Sequence, residues 1–122
     1  MAWELEFYRT TAGRTPVEDY LDSLNAQETA KAARGLELLR TLGTGLGMPH
    51  VRPLRAGLYE LRLRGQREHR IVYVAKVEQR FLLLHAFTKK TQQTPDSDIA
   101  LAEQRYHDYL NRQEKAGHGR PR

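Results

Sequence analysis

Residues 58–73 read LYELRLRGQREHRIVY. Tyr59, Leu61 and Leu63 alternate with Glu60, Arg62 and Arg64, and after Gly65-Gln66-Arg67 the chain resumes with Arg70, Ile71, Val72 and Tyr73. Alternation with a period of two marks a strand with one buried face, so the stretch predicts a β-hairpin. A three-residue loop sets Arg64 opposite Glu68, a surface ion pair worth little, and Arg62 opposite Arg70. Two like charges one cross-strand spacing apart repel unless an anion lies between them. A phosphodiester would suit that gap. A four-residue loop would send the two arginines to opposite faces and leave them as ordinary exposed side chains.

The pattern outward from the hairpin completes a fold. Trp3, Leu5 and Phe7 alternate with Glu4, Glu6 and Tyr8, as a first strand does. Thr15-Pro16-Val17-Glu18 has the form of a capped helix start with Pro at the first helical position, and Val17, Tyr20, Leu21 and Leu24 give that helix one apolar face. Asn25 with Glu28 repeats the capping pattern and opens a second helix. Ala32, Leu36, Leu39 and Leu42 are its buried side, and Gly43 is its stop. Residues 43–57 are rich in Gly and Pro and read as a loop. Val72 to Val77 extends the hairpin's second strand, Glu78-Gln79 turns, and Phe81 to Phe87 is apolar at nearly every position, as a strand buried on both faces is. Thr94-Pro95 starts a last helix with Ile99, Ala102, Tyr106 and Tyr109 on one face. The order is β-α-α-β-β-β-α: an α+β domain with helices packed on a small, mostly antiparallel sheet. It is expected to span 1–112 as one domain, with 113–122 a disordered basic tail.

Composition narrows the chemistry. The chain has 122 residues and no cysteine, so disulfides and zinc sites of the cysteine type are excluded. No run reaches the length of a membrane-spanning helix, and the N-terminus lacks the form of a signal peptide; a cytoplasmic location is expected. The net charge of +5 is unevenly placed. Residues 52–90 hold ten Lys or Arg against three acids, whereas 1–51 hold five against seven. A concentrated basic field attracts polyanions, nucleic acid first, although a solvated basic surface serves solubility equally well.

Lys89 and Lys90 stand where the buried strand ends, a position at which sites are often built. With Arg62 and Arg70 they would form four neighbouring cations in need of an anion. His85 alternates with Phe81, Leu83 and Phe87, which suits a core or rim histidine better than a catalytic one. His50 and His69 flank the hairpin without an evident partner. The chain has neither an HExxH motif nor the Gly-Lys-Ser/Thr ending of a phosphate-binding loop, so no metal and no cofactor is expected.

The ordered motifs GLYELR, HRIVY and LLHAFTKKTQQTP, followed by a helix carrying ALAEQRYHDY, resemble the RelE/HigB toxin superfamily, in its phage-derived HigB-like branch. The resemblance spans Trp3 to Leu110. It implies a toxin of a type II toxin–antitoxin pair, acting as a metal-independent, ribosome-dependent mRNA endonuclease and neutralised by a helix-turn-helix antitoxin. It places Arg62 and Arg70 on substrate phosphates and Lys89 or Lys90 near the scissile bond. Arg52, Arg55, Arg64, Tyr59 and His85 are expected to line the substrate. Glu60 departs from the pattern, which often has a base there. The catalytic tyrosine or histidine near the end of several relatives has no clear match here beyond Tyr106. Two other readings stay open: a ParE-like inhibitor of DNA gyrase on the same scaffold, and a nucleic-acid-binding module without catalysis.

Overall fold

The structure, a computed structural model, describes residues 2–118. In chain order it contains β1 (Glu4–Phe7), α1 (Pro16–Asp22), α2 (Ala26–Leu42), a 3₁₀ turn (Gly43–Gly45), β2 (Val51–Pro53), β3 (Leu58–Leu63), β4 (His69–Lys76), β5 (Arg80–Thr88) and α3 (Asp96–His118). The five strands form one sheet in the order β1-β5-β4-β3-β2. β1 runs parallel to β5, and every other pair is antiparallel. The expected α+β class and its elements are present, with β2 added inside the segment read as a loop. Three residues ending in Pro53 are too few to show alternation, and β2 exists only because β3 offers it an edge.

The hairpin has the register of a three-residue loop: Leu63 pairs with His69, and Arg62 with Arg70. α1 and α2 cover one face, where Val17, Ala32 and Leu39 meet Leu61, Leu63, Ile71, Tyr73, Phe81 and Leu83. α3 covers the other, where Ala102 and Tyr109 meet Leu58, Val72, Val74, Leu82 and Leu84. Both faces of β5 are therefore buried. Gly35 marks the closest approach of α2 to the sheet, since a Cβ there would lie 2.5 Å from Leu63 Cδ2.

Several local expectations need correction. Asn25 and Glu28 do form a reciprocal capping box, but Thr15 makes no side-chain cap bond. Leu42 is exposed, because Gly43 leaves the helix with φ +58° and the chain turns away before Leu42 can reach the core. β5 carries a bulge: Val72 pairs with His85 but Tyr73 pairs with Leu83, so Leu84 is extra. The bulge inverts the alternation, which separates Phe81 and Leu83 from His85 and Phe87; those two stack, 5.5 Å between centroids. α3 continues to His118, through the start of the segment expected to be disordered; residues 119–122 lie outside the described residues.

Candidate functional site

Arg62 and Arg70 face each other as the alternation requires, but the anion between them belongs to the protein. Arg70 is fully buried. Its Nε donates to Glu68 Oε2 at 2.8 Å, and its Nη1 donates to Glu60 Oε1 at 3.4 Å and Thr94 Oγ1 at 3.3 Å. The Thr94 hydroxyl donates to Glu60 Oε1 at 2.5 Å. Glu60, also fully buried, is the counter-ion that the like-charged pair demanded. A buried charge is tolerated only when paired and hydrogen-bonded, so Arg70 is held by the fold and has no donor face open to solvent.

Arg62 is held differently. Its Nε lies 3.6 Å from Glu60 Oε2, too long for a hydrogen bond, and neither atom has a partner. β2 begins with Val51 opposite Leu61, so Arg62 lies just outside it, where its backbone N–H donates to His50 O. Its guanidinium is poised near a counter-ion without being committed to it.

Glu68 gathers the remaining members. Burial works to raise its carboxyl pKa, but the Arg70 hydrogen bond and the charges of Arg70, Lys89 and Arg62 outweigh burial and shift it down. Lys89 Nζ lies 4.0 Å from Glu68 Oε1 and donates to Gln92 Oε1 at 3.3 Å. Arg62, Arg70 and Lys89 thus converge on Glu60 and Glu68, while Lys90 is exposed beside them.

The other expected positions disperse. Arg64 makes no ion pair with Glu68, which is taken by Arg70 and Lys89. Arg55 reaches across to α3, pairing with Asp96 and with Glu103 at 2.8 Å. Arg52 stands opposite Glu60 in the β2–β3 register but lies outside the ion pairs. Tyr59 stacks on Tyr73, a residue of the cluster beneath α1 and α2, on the sheet face away from Glu60. His85 Nε2 bonds Asp98 Oδ1 at 2.7 Å, and Arg105 Nη1 approaches its Nδ1 at 3.4 Å. Burial, with the Arg105 charge, lowers the imidazole pKa despite the Asp98 hydrogen bond. His85 also borders a cavity of about 540 Å³ with Tyr20, Arg14 and Arg105, along β5 beyond the end of β1.

Two groups were invisible in the sequence. The first is a chain of hydrogen bonds: Tyr20 hydroxyl to His69 Nδ1 at 2.5 Å, then His69 Nε2 to Glu28 at 2.7 Å, with Arg67 on the same carboxylate at 2.8 and 2.9 Å. The Arg67 and His69 bonds hold the Glu28 carboxyl at about 2. The capping glutamate of α2 therefore also ties α1 and the hairpin together. The second is a cavity of about 340 Å³ between α2 and β3, lined by Lys31, Arg34, His50, Arg62 and Arg64 over a floor that includes Leu38 and Leu63. No carboxylate lines it. Lys31 and Arg34 sit three apart on the polar side of α2, which reads as an ordinary solvated helix face until the hairpin is folded beside it.

Among the described residues, no group of three His, Cys, Asp or Glu is placed to hold a metal ion, and no helix is long and apolar enough to cross a membrane. No curated protein matches the chain. One family model does, described as Phage derived protein Gp49-like (DUF891), and it matches residues 19–107, from α1 through the first half of α3. With about three quarters of its length matched over this sheet and these helices, the chain belongs to the Gp49-like family of phage-derived proteins, which is of the type II toxin–antitoxin (RelE/HigB-like) kind.

Proposed function

We propose that the protein is the toxin of a type II pair and acts as an endoribonuclease on mRNA held by the ribosome, silenced by a helix-turn-helix antitoxin. The observation that carries this reading is the state of Arg62: a guanidinium 3.6 Å from a buried carboxylate, its Nε unpartnered, beside Lys89 and Lys90 at the end of β5. A phosphate offers such a group better hydrogen bonds than Glu60 does.

The reaction is attack of a ribose 2′-oxygen on its own 3′-phosphate. The P–O2′ bond forms and the P–O5′ bond breaks. The 2′-hydroxyl proton is lost, and the departing 5′-oxygen gains one, leaving a cyclic phosphate and a free 5′-hydroxyl. Charge builds on the phosphorane, where Arg62 and Lys89 or Lys90 would stabilise it. Arg70 serves from behind, fixing Glu60 and Glu68. In-line geometry would come in part from the codon as the ribosome arranges it.

Induced expression followed by mapping of mRNA 5′ ends tests this. Cuts in phase with codons are expected. Intact mRNA with stalled gyrase complexes on DNA would overturn the reading and favour gyrase inhibition.

A further inference from the structure

The cavity between α2 and β3 is a built site. Its walls come from three separate parts of the chain: Lys31 and Arg34 from α2, His50 from the loop before β2, and Arg62 and Arg64 from the end of β3. Most basic side chains of the hairpin region are spent on carboxylates: Arg55 on Asp96 and Glu103, Arg67 on Glu28, Arg70 on Glu60 and Glu68. Among the described residues, Lys31, Arg34 and Arg64 have no ion pair, and the Arg62 contact is loose. Lys31, Arg34 and Arg64 around one cavity without a lining acid repel one another, and a bound polyanion relieves that cost.

The floor is apolar. Leu38, Pro49 and Leu63 lie beneath the rim, and Gly35 lets α2 approach β3 closely enough to close the groove. Apolar surface beneath a cationic rim suits a nucleotide, whose flat base covers the floor while its phosphates meet the rim. A second cavity of about 180 Å³ shares Lys31, Leu63 and Arg64 and continues along the hairpin to Arg67. Together they make a path, which passes the Glu28 carboxylate already paired with Arg67.

We infer that this groove is a backbone track for single-stranded RNA, in which Lys31, Arg34 and Arg64 hold the strand along the end of β3 on the α2 side of the sheet. The inference rests on the endonuclease reading for its choice of RNA over other polyanions, and it adds α2 to the substrate-binding surface. These residues position the strand and do no chemistry.

The test is the salt dependence of binding, by fluorescence anisotropy, of the full-length protein to a 2′-O-methyl RNA oligonucleotide that cannot be cleaved. Each neutralised contact contributes about 0.7 to the slope of log K against log salt for a single strand. Lys31→Gln/Arg34→Gln should therefore flatten the wild-type slope by about 1.4 and weaken binding at low salt. Arg9→Gln/Lys115→Gln, which changes two cations outside the groove, should leave the slope as it is. An unchanged slope in the α2 double variant, or equal flattening in the control, overturns the track. So does tight binding of polyglutamate without binding of RNA, which would make the groove a seat for an acidic protein segment. Because the oligonucleotide cannot be cut, loss of the endonuclease reading in the 5′-end mapping leaves this measurement intact, and the two can fail separately.

Discussion

Arg62 and Arg70 occupy one cross-strand pair, and the two ends of that pair are different environments. The Arg70 end is closed: the loop after β5 brings Thr94 and Gln92 over it, and Glu60 and Glu68 neutralise it. The Arg62 end is looser: its Nε lies 3.6 Å from Glu60 Oε2 without a hydrogen bond, beside the start of β2. Hydrogen bonding decides which arginine is architecture and which is free to act. A buried guanidinium with its donors satisfied is fixed by its counter-ions, whereas one whose Nε lacks a partner retains the freedom to exchange them.

The largest effect that would break this contrast is on stability. Arg70→Ala leaves Glu60 buried without its main partner and should cost about 3–5 kcal/mol, read as a lower urea midpoint. A midpoint equal to wild type would mean that the buried pair does not hold the hairpin. Arg62→Ala should do the reverse. It should cost about 1 kcal/mol or less in stability but slow RNA cleavage by about 10²–10³-fold. A destabilised Arg62→Ala protein with undiminished specific activity would erase the distinction.

His85 and the two lysines sharpen it from a third position. His85→Ala loses the Asp98 bond and the stack on Phe87, and it should destabilise by about 1–3 kcal/mol while cleavage survives. Lys89→Gln/Lys90→Gln should change melting by no more than about 0.5 kcal/mol and abolish cleavage. A stable, inactive His85→Ala beside an active lysine double variant would move the chemistry into the cavity that His85 shares with Arg14, Tyr20 and Arg105.

The mildest effect concerns Glu28, which fastens α1 and α2 to the hairpin. Its folded carboxyl titrates at about 2, below the ordinary value of 4.5. A depressed carboxylate contributes stability that is whole above the unfolded value and is lost as pH falls through the folded one. Stability should therefore be level above about 4.5 and decline between there and about 2, on account of this group. Glu28→Gln should flatten that limb, in denaturation followed by circular dichroism; an unaltered limb would assign the acid sensitivity elsewhere.

Four of the five strands and the helices could be read from the chain because each depends on local periodicity. Around Gly65-Gln66-Arg67 the alternation left a three- and a four-residue loop open, and the sheet takes the three-residue register, which keeps the apolar set inward. Asn25 and Glu28 could be read as a cap because their spacing alone brings them together. Lys31 and Arg34 could not be read as a site, since a solvated helix face and half of a groove look alike until the other half arrives. The bulge at Leu84 was equally hidden, because an apolar run buried on both faces keeps no alternation for a bulge to interrupt.

The sequence by itself determined the fold class, the hairpin, and the concentration of positive charge between residues 52 and 90. It also held the motifs of the family. Tertiary structure decided what each charge does. Glu60, which looked like a misplaced acid on the solvent face of a strand, is the buried counter-ion of Arg70, because Thr94 and the loop after β5 close over it. Arg55, one of the expected RNA contacts, is drawn off by α3, and Lys31 and Arg34 take up a place beside Arg62 and Arg64. The physical reason is range. Periodicity and capping act over a few residues, so the chain records them directly, whereas a charge's partner and its dielectric are set by whichever segment folds against it, tens of residues away.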